Sequence, residues 1–547
     1  MNLLNNAVIN IPKPENEPVY SYAPGTPERE KLKAALEEMA GQKIEIPLII
    51  GGKEVRTGKT GQVVMPFDHQ HVLAEYHMAG EEEIHQAVEA AMAAKQEWAS
   101  FRWEERAAIF LKAAELLSTK YRYQINAASM LSTGKTAYQA EIDAACELID
   151  FLRFNVYYAQ QIYKEQPLYS SKGLWNYVQH RPLEGFVLAV TPFNFTAIAG
   201  NLPTSPAIMG NTVLLKAASS CVYTPYLLMK ILKEAGLPDG VINFIPGPGS
   251  KIGGICLPHR DLGGVHFTGS TAVFQNMWKS IGENIANYKS YPRIVGETGG
   301  KDFIFAHASA DVDKLVAGVV RGAFEYQGQK CSAASRAYIP ESMWPAFKEK
   351  LSSEMQRIKM GPVTDFRNFV TAVVDRAAFD SITEYIDYAK NAEDAEVMIG
   401  GGYDDSVGYY IEPTVILTQN PQFKTMVDEI FGPVLTIYVY SDEKYEETLE
   451  LCDQSSAYAL TGAVFATERN AVSLAMKKLE NAAGNFYVND KPTGAVVGQQ
   501  PFGGARASGT NDKAGSPLNL MRWVSMRTIK ETFNGADSFE YPFMDAE

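Results

Sequence analysis

The chain of 547 residues is poor in cysteine, and its few cysteines show no pattern of pairing. They are odd in number, widely spaced and without a CxxC pair, at positions Cys146, Cys221, Cys256, Cys331 and Cys452. This pattern excludes a disulfide framework and a zinc site, so we expect reduced thiols. Four of them are typical of small buried hydrophobic residues, whereas Cys331 stands in a different setting.

Metal-binding patterns are also missing. The nearest approach to one is the HxH formed by His69 and His71 in a stretch flanked by prolines. A metal site needs further ligands at suitable spacing, so we interpret this pair as part of a surface loop and predict no metal.

The sequence lacks long apolar runs, a basic excess and a targeting segment. No apolar stretch approaches the roughly 20 residues that cross a bilayer. The 64 acidic residues outnumber the 50 basic ones, and the net charge of −14 argues against nucleic acid and membranes as partners. Residues 1–18 have no apolar core and one Lys, unlike a secretory signal or a mitochondrial transit peptide. We expect a cytoplasmic location, or the mitochondrial matrix if a leader was removed.

The composition that is present, with 46% hydrophobic and 21% charged residues, is typical of a soluble globular enzyme. A chain of this length is too long for one core, so we expect two or three domains. Apolar residues at helical spacing predict helices over residues 28–40, 84–98, 104–118 and 137–161. The first part of the chain is therefore predicted to be rich in helix.

Short apolar runs alternating with helical stretches follow. The first four runs, each expected to be a buried parallel strand, are residues 185–190, 211–216, 241–245 and 264–270. Alternation at this period predicts a doubly wound α/β sheet, and ligands bind such sheets at the carboxyl ends of the strands.

A second alternating block begins after residue 301. It comprises a strand at 303–305, a helix at 311–326 and strands at 336–339, 413–417 and 434–438. We interpret it as a second α/β domain with Cys331 near its start. Residues 172–181 are predicted to form an exposed hairpin strand, and such an edge usually needs a partner, often another subunit.

Cys331 and Glu297 form the strongest chemical signal. The thiol lies in a turn that begins at Gly328, and Glu297 stands in the Gly-rich segment Gly296–Lys301. A thiol nucleophile and a carboxylate base can attack a carbonyl and hold the product as a thioester that water then cleaves. The simpler alternative is that Glu297 only caps a Gly-rich turn.

A nucleotide site is indicated more weakly. The GxGxxG fingerprint is absent, because Ile252 stands where the third glycine of the Gly247–Gly249 turn would be. Alone this segment predicts only a turn. Polar or glycine residues at all four predicted strand ends, Thr191, Lys216, Gly247 and Ser270, favour a nucleotide site there.

Five motifs, at residues 191–195, 267–270, 297–301, 329–331 and 429–433, resemble those of the aldehyde dehydrogenase superfamily in type and order. The resemblance spans almost the whole chain. It implies an α/β fold with a modified Rossmann NAD-binding domain, a second α/β catalytic domain and a small oligomerisation hairpin and tail. The implied domains are 1–164 with 184–301 for NAD, 302–485 for the catalytic thiol, 165–183 with 515–547 for oligomerisation, and 486–514 for anchoring the substrate.

The resemblance implies NAD as the cofactor. The implied cofactor-binding residues are Thr191, Pro192, Phe193, Lys216, Ser219, Gly247, Gly249, Phe267, Ser270, Glu429 and Phe431. Lys216 and Glu429 would hold ribose hydroxyls, and Ser270 a pyrophosphate oxygen at a helix N-terminus. Many relatives carry an acid shortly after the lysine that repels a 2′-phosphate, whereas this chain has Ala217–Ser219, so rejection of NADP is not visible.

The implied mechanism begins with attack of the Cys331 thiolate on an aldehyde. The side-chain amide of Asn194 and the backbone N–H of Cys331 would hold the oxyanion. After hydride transfer to the nicotinamide, Glu297 would take a proton from the water that hydrolyses the thioester. A glutamate at this position favours hydrolysis over transfer of the acyl group to coenzyme A.

The substrate is implied by two further segments. Residues 489–513 and 146–151 are similar to the branch of the superfamily that oxidises L-glutamate γ-semialdehyde, the open form of 1-pyrroline-5-carboxylate, to L-glutamate at the end of proline breakdown. The implied substrate-binding residues are Glu147 for the ammonium group, Ser332, Gly494 and Ala495 for the carboxylate, and Phe195 and Phe502 for the aliphatic middle.

Two alternatives stay open. One is an aldehyde dehydrogenase for another ω-semialdehyde, such as succinate semialdehyde, which would have no use for Glu147. The other is a cysteine hydrolase or esterase, which would need a histidine beside the thiol, and none of the eight histidines has a recognisable catalytic setting. For either dehydrogenase we expect a small-molecule substrate and a homodimer built on the hairpin and the C-terminal tail.

Overall fold

The structure, a computed structural model, describes residues 8–546. Residues 1–7 of the predicted NAD-binding domain and residue 547 of the predicted tail lie outside the described residues. Within that range, no helix combines the length and the apolar character that crossing a membrane requires.

Helices occur along the whole described chain. In chain order the α-helices are α1 Pro27–Ala40, α2 Glu81–Ser100, α3 Trp103–Ser118, α4 Arg122–Thr133, α5 Ala137–Ala140, α6 Leu148–Lys164, α7 Thr196–Ile208, α8 Tyr223–Ala235, α9 Gly249–Cys256, α10 Thr271–Glu283, α11 Val312–Phe324, α12 Trp344–Gln356, α13 Arg376–Lys390, α14 Lys424–Val427, α15 Tyr445–Gln454, α16 Arg469–Lys478 and α17 Pro517–Met521. A π-helix spans Glu141–Glu147, and short 3₁₀ helices span Glu325–Gly328, Asp442–Lys444 and Pro542–Met544.

Strands build two large sheets and several small ones. They are β1 Ile44–Ile46, β2 Leu48–Ile50, β3 Lys53–Val55, β4 Thr60–Met65, β5 Asp68–His77, β6 Leu174–Pro182, β7 Phe186–Val190, β8 Thr212–Lys216, β9 Ile242–Phe244, β10 Leu262–Thr268, β11 Arg293–Glu297, β12 Asp302–Ala306, β13 Ala334–Pro340, β14 Ala395–Ile399, β15 Tyr403–Asp404, β16 Tyr410–Ile411, β17 Thr414–Thr418, β18 Val434–Tyr440, β19 Tyr458–Ala459, β20 Thr461–Phe465, β21 Asn485–Val488, β22 Ala505–Arg506 and β23 Val524–Thr532.

The first large sheet has the order β11-β10-β7-β8-β9-β2-β3. Strands β7 to β11 run parallel, and β2 and β3 continue the sheet in antiparallel sense. All seven residues of β10 are buried, as expected for a strand of a parallel sheet with both faces covered. The four predicted strands of this sheet are confirmed, while β2, β3 and β11 were not predicted.

The second large sheet has the order β14-β17-β18-β13-β12-β20-β21, parallel except for β14. The strands predicted at 303–305, 336–339, 413–417 and 434–438 all belong to it. Strand β21 also belongs to this sheet and runs past residue 485, where the sequence-based domain division was placed. The division itself stays a prediction.

The two large sheets meet end to end. Strand β11 ends at Glu297 and β12 begins at Asp302, so residues 298–301 carry the chain from the carboxyl edge of the first sheet to the amino edge of the second. Cys331 lies shortly before β13, which pairs with β12 at this same edge. The edge predicted to bind a nucleotide therefore faces the edge that carries the thiol.

Helix α6 is preceded by a feature that the sequence did not reveal. One continuous helix was predicted over 137–161, but the π-helix interrupts it. Its buried Asp143 accepts hydrogen bonds from the backbone N–H groups of Thr196 and Ala197, both 2.9 Å long. Asp143 thus caps α7 from another part of the chain, which a local sequence pattern cannot show.

The predicted exposed strand at 172–181 is found as β6, but its partner is distant. It pairs antiparallel with β23, from Pro182 opposite Val524 to Leu174 opposite Thr532. The expectation of a local hairpin is therefore wrong, and the two strands form a ribbon that joins the middle of the chain to its C-terminal part.

The interpretation of His69 and His71 as a surface loop is also wrong, because both lie in β5. The Nε2 atom of His69 donates to the carbonyl of Asp405, and that of His71 to the carbonyl of Ala40, each at 2.8 Å. Each ring thus fixes β5 to a different neighbouring segment.

The turn before the thiol is held in an uncommon backbone conformation. Tyr326 and Gln327 have left-handed φ angles of 54° and 55°, and Gly328 follows at 64°. The Gln327 side chain fixes this turn: its Nε2 donates to Thr371 Oγ1 and to the Ala372 carbonyl, both at 2.8 Å. Its Oε1 accepts from the Thr371 N–H at 3.1 Å.

The variant Gln327→Leu should destabilise the protein, since it leaves several buried backbone groups without partners. Each such group costs roughly 1–3 kcal/mol, so we expect a fall of the melting temperature by roughly 3–6 °C in a thermal scan. Gln422→Leu, on the surface, is the matched control and should leave the melting temperature unchanged. Equal melting temperatures for the two variants would show that Gln327 does not hold the turn.

Candidate active site

Cys331 opens onto a cavity of about 390 Å³ at the junction of the two sheets. The cavity is lined by the thiol and by many of the residues predicted to act on the substrate: Cys331, Glu297, Glu147, Phe195, Ser332, Gly494, Ala495 and Phe502. Residues separated by more than 350 positions in the sequence therefore meet around one sulfur atom.

The environment of Cys331 favours the neutral thiol. Burial raises its pKa well above the ordinary value, and the nearby carboxylates of Asp302, Glu429 and Glu297 raise it further. The positive charge of Lys330, the residue directly before the thiol, is paired elsewhere, because its Nζ donates to the Glu325 carboxylate at 3.1 Å. The thiolate must therefore form when ligands bring positive charge or accept the proton.

Asn194 lies behind the thiol turn. Its side-chain Nδ2 donates to the carbonyl of Gln329 at 3.1 Å, two residues before Cys331. This bond uses one of the two hydrogens of the amide and leaves the other for a further acceptor. Asn194 is thus placed against the main chain that leads to the sulfur.

Glu297 reaches the cavity from the end of β11. Its Oε2 accepts a hydrogen bond of 3.0 Å from the N–H of Gly504. Burial raises the pKa of Glu297 well above the ordinary value, while the Gly504 bond and the Lys513 charge lower it. The carboxyl group is therefore a weaker acid than usual and a stronger base once ionised.

Glu147, the last residue of the π-helix, stands at another wall of the cavity. Burial raises its pKa well above the ordinary value, and the charge of Asp143 adds to this effect. The nearby Lys135 and Lys330 form ion pairs with Asp143 and Glu325. A cation that enters the cavity would therefore favour the ionised form of Glu147.

Residues 493–500 form the wall with Gly494 and Ala495. Gly494 has a left-handed φ of 96°, a conformation that glycine adopts without strain. Two side chains shape this turn. Lys491 Nζ donates a hydrogen bond of 3.2 Å to the Thr493 carbonyl, and Gln500 Oε1 accepts one of 2.9 Å from the Val496 N–H. The Ser332 hydroxyl lies in the same cavity.

Two aromatic rings complete the cavity. Phe195 precedes α7 and packs under the ammonium group of Lys135, which lies 4.4 Å from the ring centre. Phe502 is fixed by a pair of backbone hydrogen bonds with Ala514, of 3.0 and 2.8 Å. Both rings are therefore held on ordered backbone.

The carboxyl edge of the first sheet carries polar groups that fit a dinucleotide. The Thr191 hydroxyl is buried without a hydrogen-bond partner among the described residues. Lys216 lies along Gly249, where an added Cβ would approach its Nζ to 3.9 Å. Ser270 is the N-cap of α10, and its side chain makes no capping bond. A dinucleotide with its phosphate at this helix end and its sugar hydroxyl groups near Lys216 would supply hydrogen-bond partners for Thr191, Lys216 and Ser270.

The other predicted cofactor residues differ in their surroundings. Phe193 and Phe431 contact each other edge to face at 5.8 Å, and Gly247 lies with a positive φ at the end of β9. Phe267 stacks on Phe274 and lines the substrate cavity. Ser219 is exposed, and Pro192, next to Thr191, is partly buried.

Glu429 is held close to the junction of the sheets. It accepts a hydrogen bond of 2.9 Å from the Gly300 N–H, and burial raises its pKa to about 7. Glycine is required at position 299, because a Cβ there would lie 2.1 Å from Glu429 Oε2.

Several residues at the site were not predicted. Lys301 Nζ and Asp302 Oδ2 are buried without a hydrogen-bond partner among the described residues, and burial lowers the pKa of Lys301 to about 7. Their position, as two charged residues directly before the apolar run at 303–305, is a sequence signal that could have identified Lys301 and Asp302 as site residues. Asn16, Glu17 and Val19, which precede α1, also line the cavity, and no sequence pattern indicated this.

Comparison with known proteins identifies the family. The model of the aldehyde dehydrogenase family matches residues 54–529. "Delta-1-pyrroline-5-carboxylate dehydrogenase, mitochondrial" of Dictyostelium discoideum is 56% identical over 537 residues, covering 98% of this chain and 96% of the relative. The Delta-1-pyrroline-5-carboxylate dehydrogenase of Agaricus bisporus is 54% identical over 538 residues, covering 98% of each.

A solved structure agrees with these relatives. The Delta-pyrroline-5-carboxylate dehydrogenase from Mycobacterium tuberculosis, crystallised with NAD, superposes with a TM-score of 0.96 at 51% identity, covering 99% of this chain and all of that one. Sequence and fold agree over nearly the full length of the chain. The chain therefore belongs to the aldehyde dehydrogenase family.

Proposed function

We propose that this protein oxidises L-glutamate γ-semialdehyde, the open form of 1-pyrroline-5-carboxylate, to L-glutamate with NAD, as the last step of proline breakdown. The observation that supports this most is that one cavity joins a thiol, a buried carboxyl base and Glu147, a buried acid suited to an ammonium group. The names of the most similar relatives support the same substrate.

The first step is the attack of Cys331 on the aldehyde carbon. Cys331 loses its proton to solvent, the thiolate forms a new S–C bond with the carbonyl carbon as the C=O double bond opens, and the product is a thiohemiacetal oxyanion. The free amide hydrogen of Asn194 and the Cys331 N–H stabilise its oxyanion, and each such donor is typically worth roughly 10²–10³ in rate.

The cofactor site lies at the carboxyl edge of the first sheet. Lys216, Ser270 and Thr191 would hold the sugar and phosphate groups. When bound, the nicotinamide ring serves as the electron acceptor of the reaction. Because residues 217–219 contain no acid, we expect some use of NADP besides NAD.

Hydrolysis of the thioester completes the reaction. Glu297 takes a proton from a water molecule, whose oxygen attacks the thioester carbon, and the Cys331 thiolate leaves. The Gly504 N–H and the Lys513 charge favour the ionised carboxylate, while burial opposes it. The step therefore needs a pH above the raised pKa of Glu297.

Recognition of the amino-acid end uses two walls of the cavity. Glu147 pairs with the ammonium group, and burial of both charges makes this pair selective against substrates without an ammonium. Ser332 and the N–H groups of Gly494 and Ala495 bind the carboxylate, and the rings of Phe195 and Phe502 enclose the chain between the two ends. Succinate semialdehyde would leave Glu147 buried without a partner.

We also propose that the β6–β23 ribbon forms a homodimer. It carries the exposed apolar residues Trp175 and Met526, and the tail beyond it exposes Phe539, Tyr541 and Phe543. A two-stranded ribbon has free edges that another subunit can pair with. For the location of the protein we propose the cytoplasm or the mitochondrial matrix, and the relative of Dictyostelium discoideum is named as mitochondrial.

Replacing the sulfur should abolish the reaction. Cys331→Ser should lower NAD reduction with pyrroline-5-carboxylate by roughly 10³-fold or more, because a hydroxyl is a far weaker nucleophile here. The absorbance of reduced cofactor measures this, with Cys256→Ala as a control that should keep full activity. A serine variant that reduces NAD at the wild-type rate would contradict the proposed function.

Glu297→Gln should trap the thioester. Because general-base catalysis contributes roughly 10²–10⁴-fold, we expect one fast equivalent of reduced cofactor per site, followed by slow turnover. The wild type should show such a burst only at low pH, where the raised pKa of Glu297 keeps the carboxyl protonated, and lose it as the pH rises. Stopped-flow absorbance separates the two phases, and a variant without a burst would exclude Glu297 as the base of hydrolysis.

Glu147→Gln should weaken recognition of the amino acid. We expect kcat/KM for glutamate semialdehyde to fall roughly 10²-fold, since a buried ammonium loses its counter-charge. Succinate semialdehyde and acetaldehyde should react as before in the same assay, run with NAD and NADP in parallel. The surface variant Glu283→Gln is the control, and an equal fall for all aldehydes would argue against a role of Glu147 in selectivity.

A further inference from the structure

The N-terminal arm, residues 8–22, supplies part of the cavity that holds the thiol. Asn16, Glu17 and Val19 line it together with Cys331 and Glu147. The arm precedes α1 and belongs to neither large sheet. The proposed mechanism does not use it, so its place in the cavity calls for a separate explanation.

Buried charges fix the arm in this place. The Glu17 carboxylate pairs with Arg122, whose side chain is 1% exposed, and with Arg153 at 2.6 Å. Farther out, the Ile11 N–H donates to the side chain of Gln160 at 2.6 Å. Removing one partner of a buried ion pair leaves a charge without compensation, so the arm is held firmly against α4 and α6.

The Asn16 side chain connects two walls of the cavity. Its Nδ2 donates to Asp150 Oδ2 and to the Val497 carbonyl, both at 2.8 Å. Its Oδ1 accepts from Gln499 Nε2 at 2.9 Å. All the hydrogen-bonding groups of one short amide are therefore used to hold α6 against the turn of residues 493–500.

The two connected walls are those that face the two charges of the proposed substrate. Asp150 lies three residues after Glu147, about 4.5 Å along the helix axis. Val497 follows Gly494 and Ala495 in the opposite wall. The second oxygen of Asp150 accepts from the Glu17 N–H at 2.8 Å. The arm thus contacts both walls through residues that lie two or three positions from Ala495 and Glu147.

The bonds to Asp150 also carry charge. Burial raises the pKa of Asp150 to about 6, and the bonds from Asn16 and the Glu17 N–H lower it. The arm therefore helps to keep a second carboxylate, next to Glu147, ionised near neutral pH.

We propose that Asn16 is a specificity-determining positioning residue, which sets the separation between Glu147 and the turn with Gly494 and Ala495 to the length of an α-amino acid group. The inference rests on the proposed function and deepens it. Asn16 acts through Asp150, Val497 and Gln499 and does not touch the reacting atoms. A small aldehyde, which needs only Cys331 and its neighbours, does not depend on this separation.

The test compares Asn16→Ala with wild type on two aldehydes. For glutamate semialdehyde we expect KM to rise about 10-fold with kcat within about two-fold, since three hydrogen bonds of the bridge are lost but the thiol is unchanged. For acetaldehyde both constants should stay within about two-fold of wild type. Asn10→Ala is the matched control and should not differ from wild type, since Asn10 is also in the arm and, within residues 8–546, its side chain accepts a bond from the exposed Lys164 alone.

A second variant keeps the test independent of folding. Gln499→Ala removes one bond of the bridge from the other side and should raise KM for glutamate semialdehyde about three-fold, with an unchanged melting temperature. A wild-type KM in both variants, or equal changes for both aldehydes, would overturn the proposed role of Asn16 but not the proposed function. A wild-type enzyme that does not oxidise glutamate semialdehyde would overturn the proposed function as well.

Discussion

The four residues between β11 and β12 are the constraint on which the site depends. They bring the last residue of one sheet, Glu297, and the first residue of the other, Asp302, to the same junction. The passage is possible only because side chains are missing there: a Cβ at Gly299 would meet the Glu429 carboxylate, and one at Gly300 would lie 2.3 Å from the Cys331 carbonyl. Close backbone packing thus places the thiol, the base and the nucleotide edge around one cavity.

Desolvation dominates the electrostatics of this cavity. Burial raises the pKa of Cys331, Glu297 and Glu147 and lowers that of Lys301, so each group tends to its neutral form in the absence of ligands. Such groups gain charge when a ligand supplies the counter-charge, and in a medium of low polarity this pairing is strong. The site is therefore built to respond to charged ligands, and its selectivity follows from the cost of leaving a buried charge without a partner.

Much of this could be predicted from the sequence, because it depends on local patterns. The buried strands β7 and β8 follow from short apolar runs, and Cys331 and Glu297 follow from glycine-rich segments with reactive side chains. What could not be predicted depends on contacts between distant segments. The π-helix is stabilised by the bond of Asp143 to α7, the thiol turn by Gln327 and Thr371, and the cavity wall by the arm. No periodicity or composition of the segment itself carries that information.

The pairing of β6 with β23 has a consequence for biosynthesis. Arg181 and Ser525 lie 344 positions apart, so a ribosome that adds roughly 5–20 residues per second needs roughly 20–70 s to supply the second strand after the first. During that interval β6 leaves the exit tunnel with unpaired backbone groups and an exposed tryptophan, Trp175. The nascent chain therefore carries an unpaired, aggregation-prone edge until β23 has been synthesised.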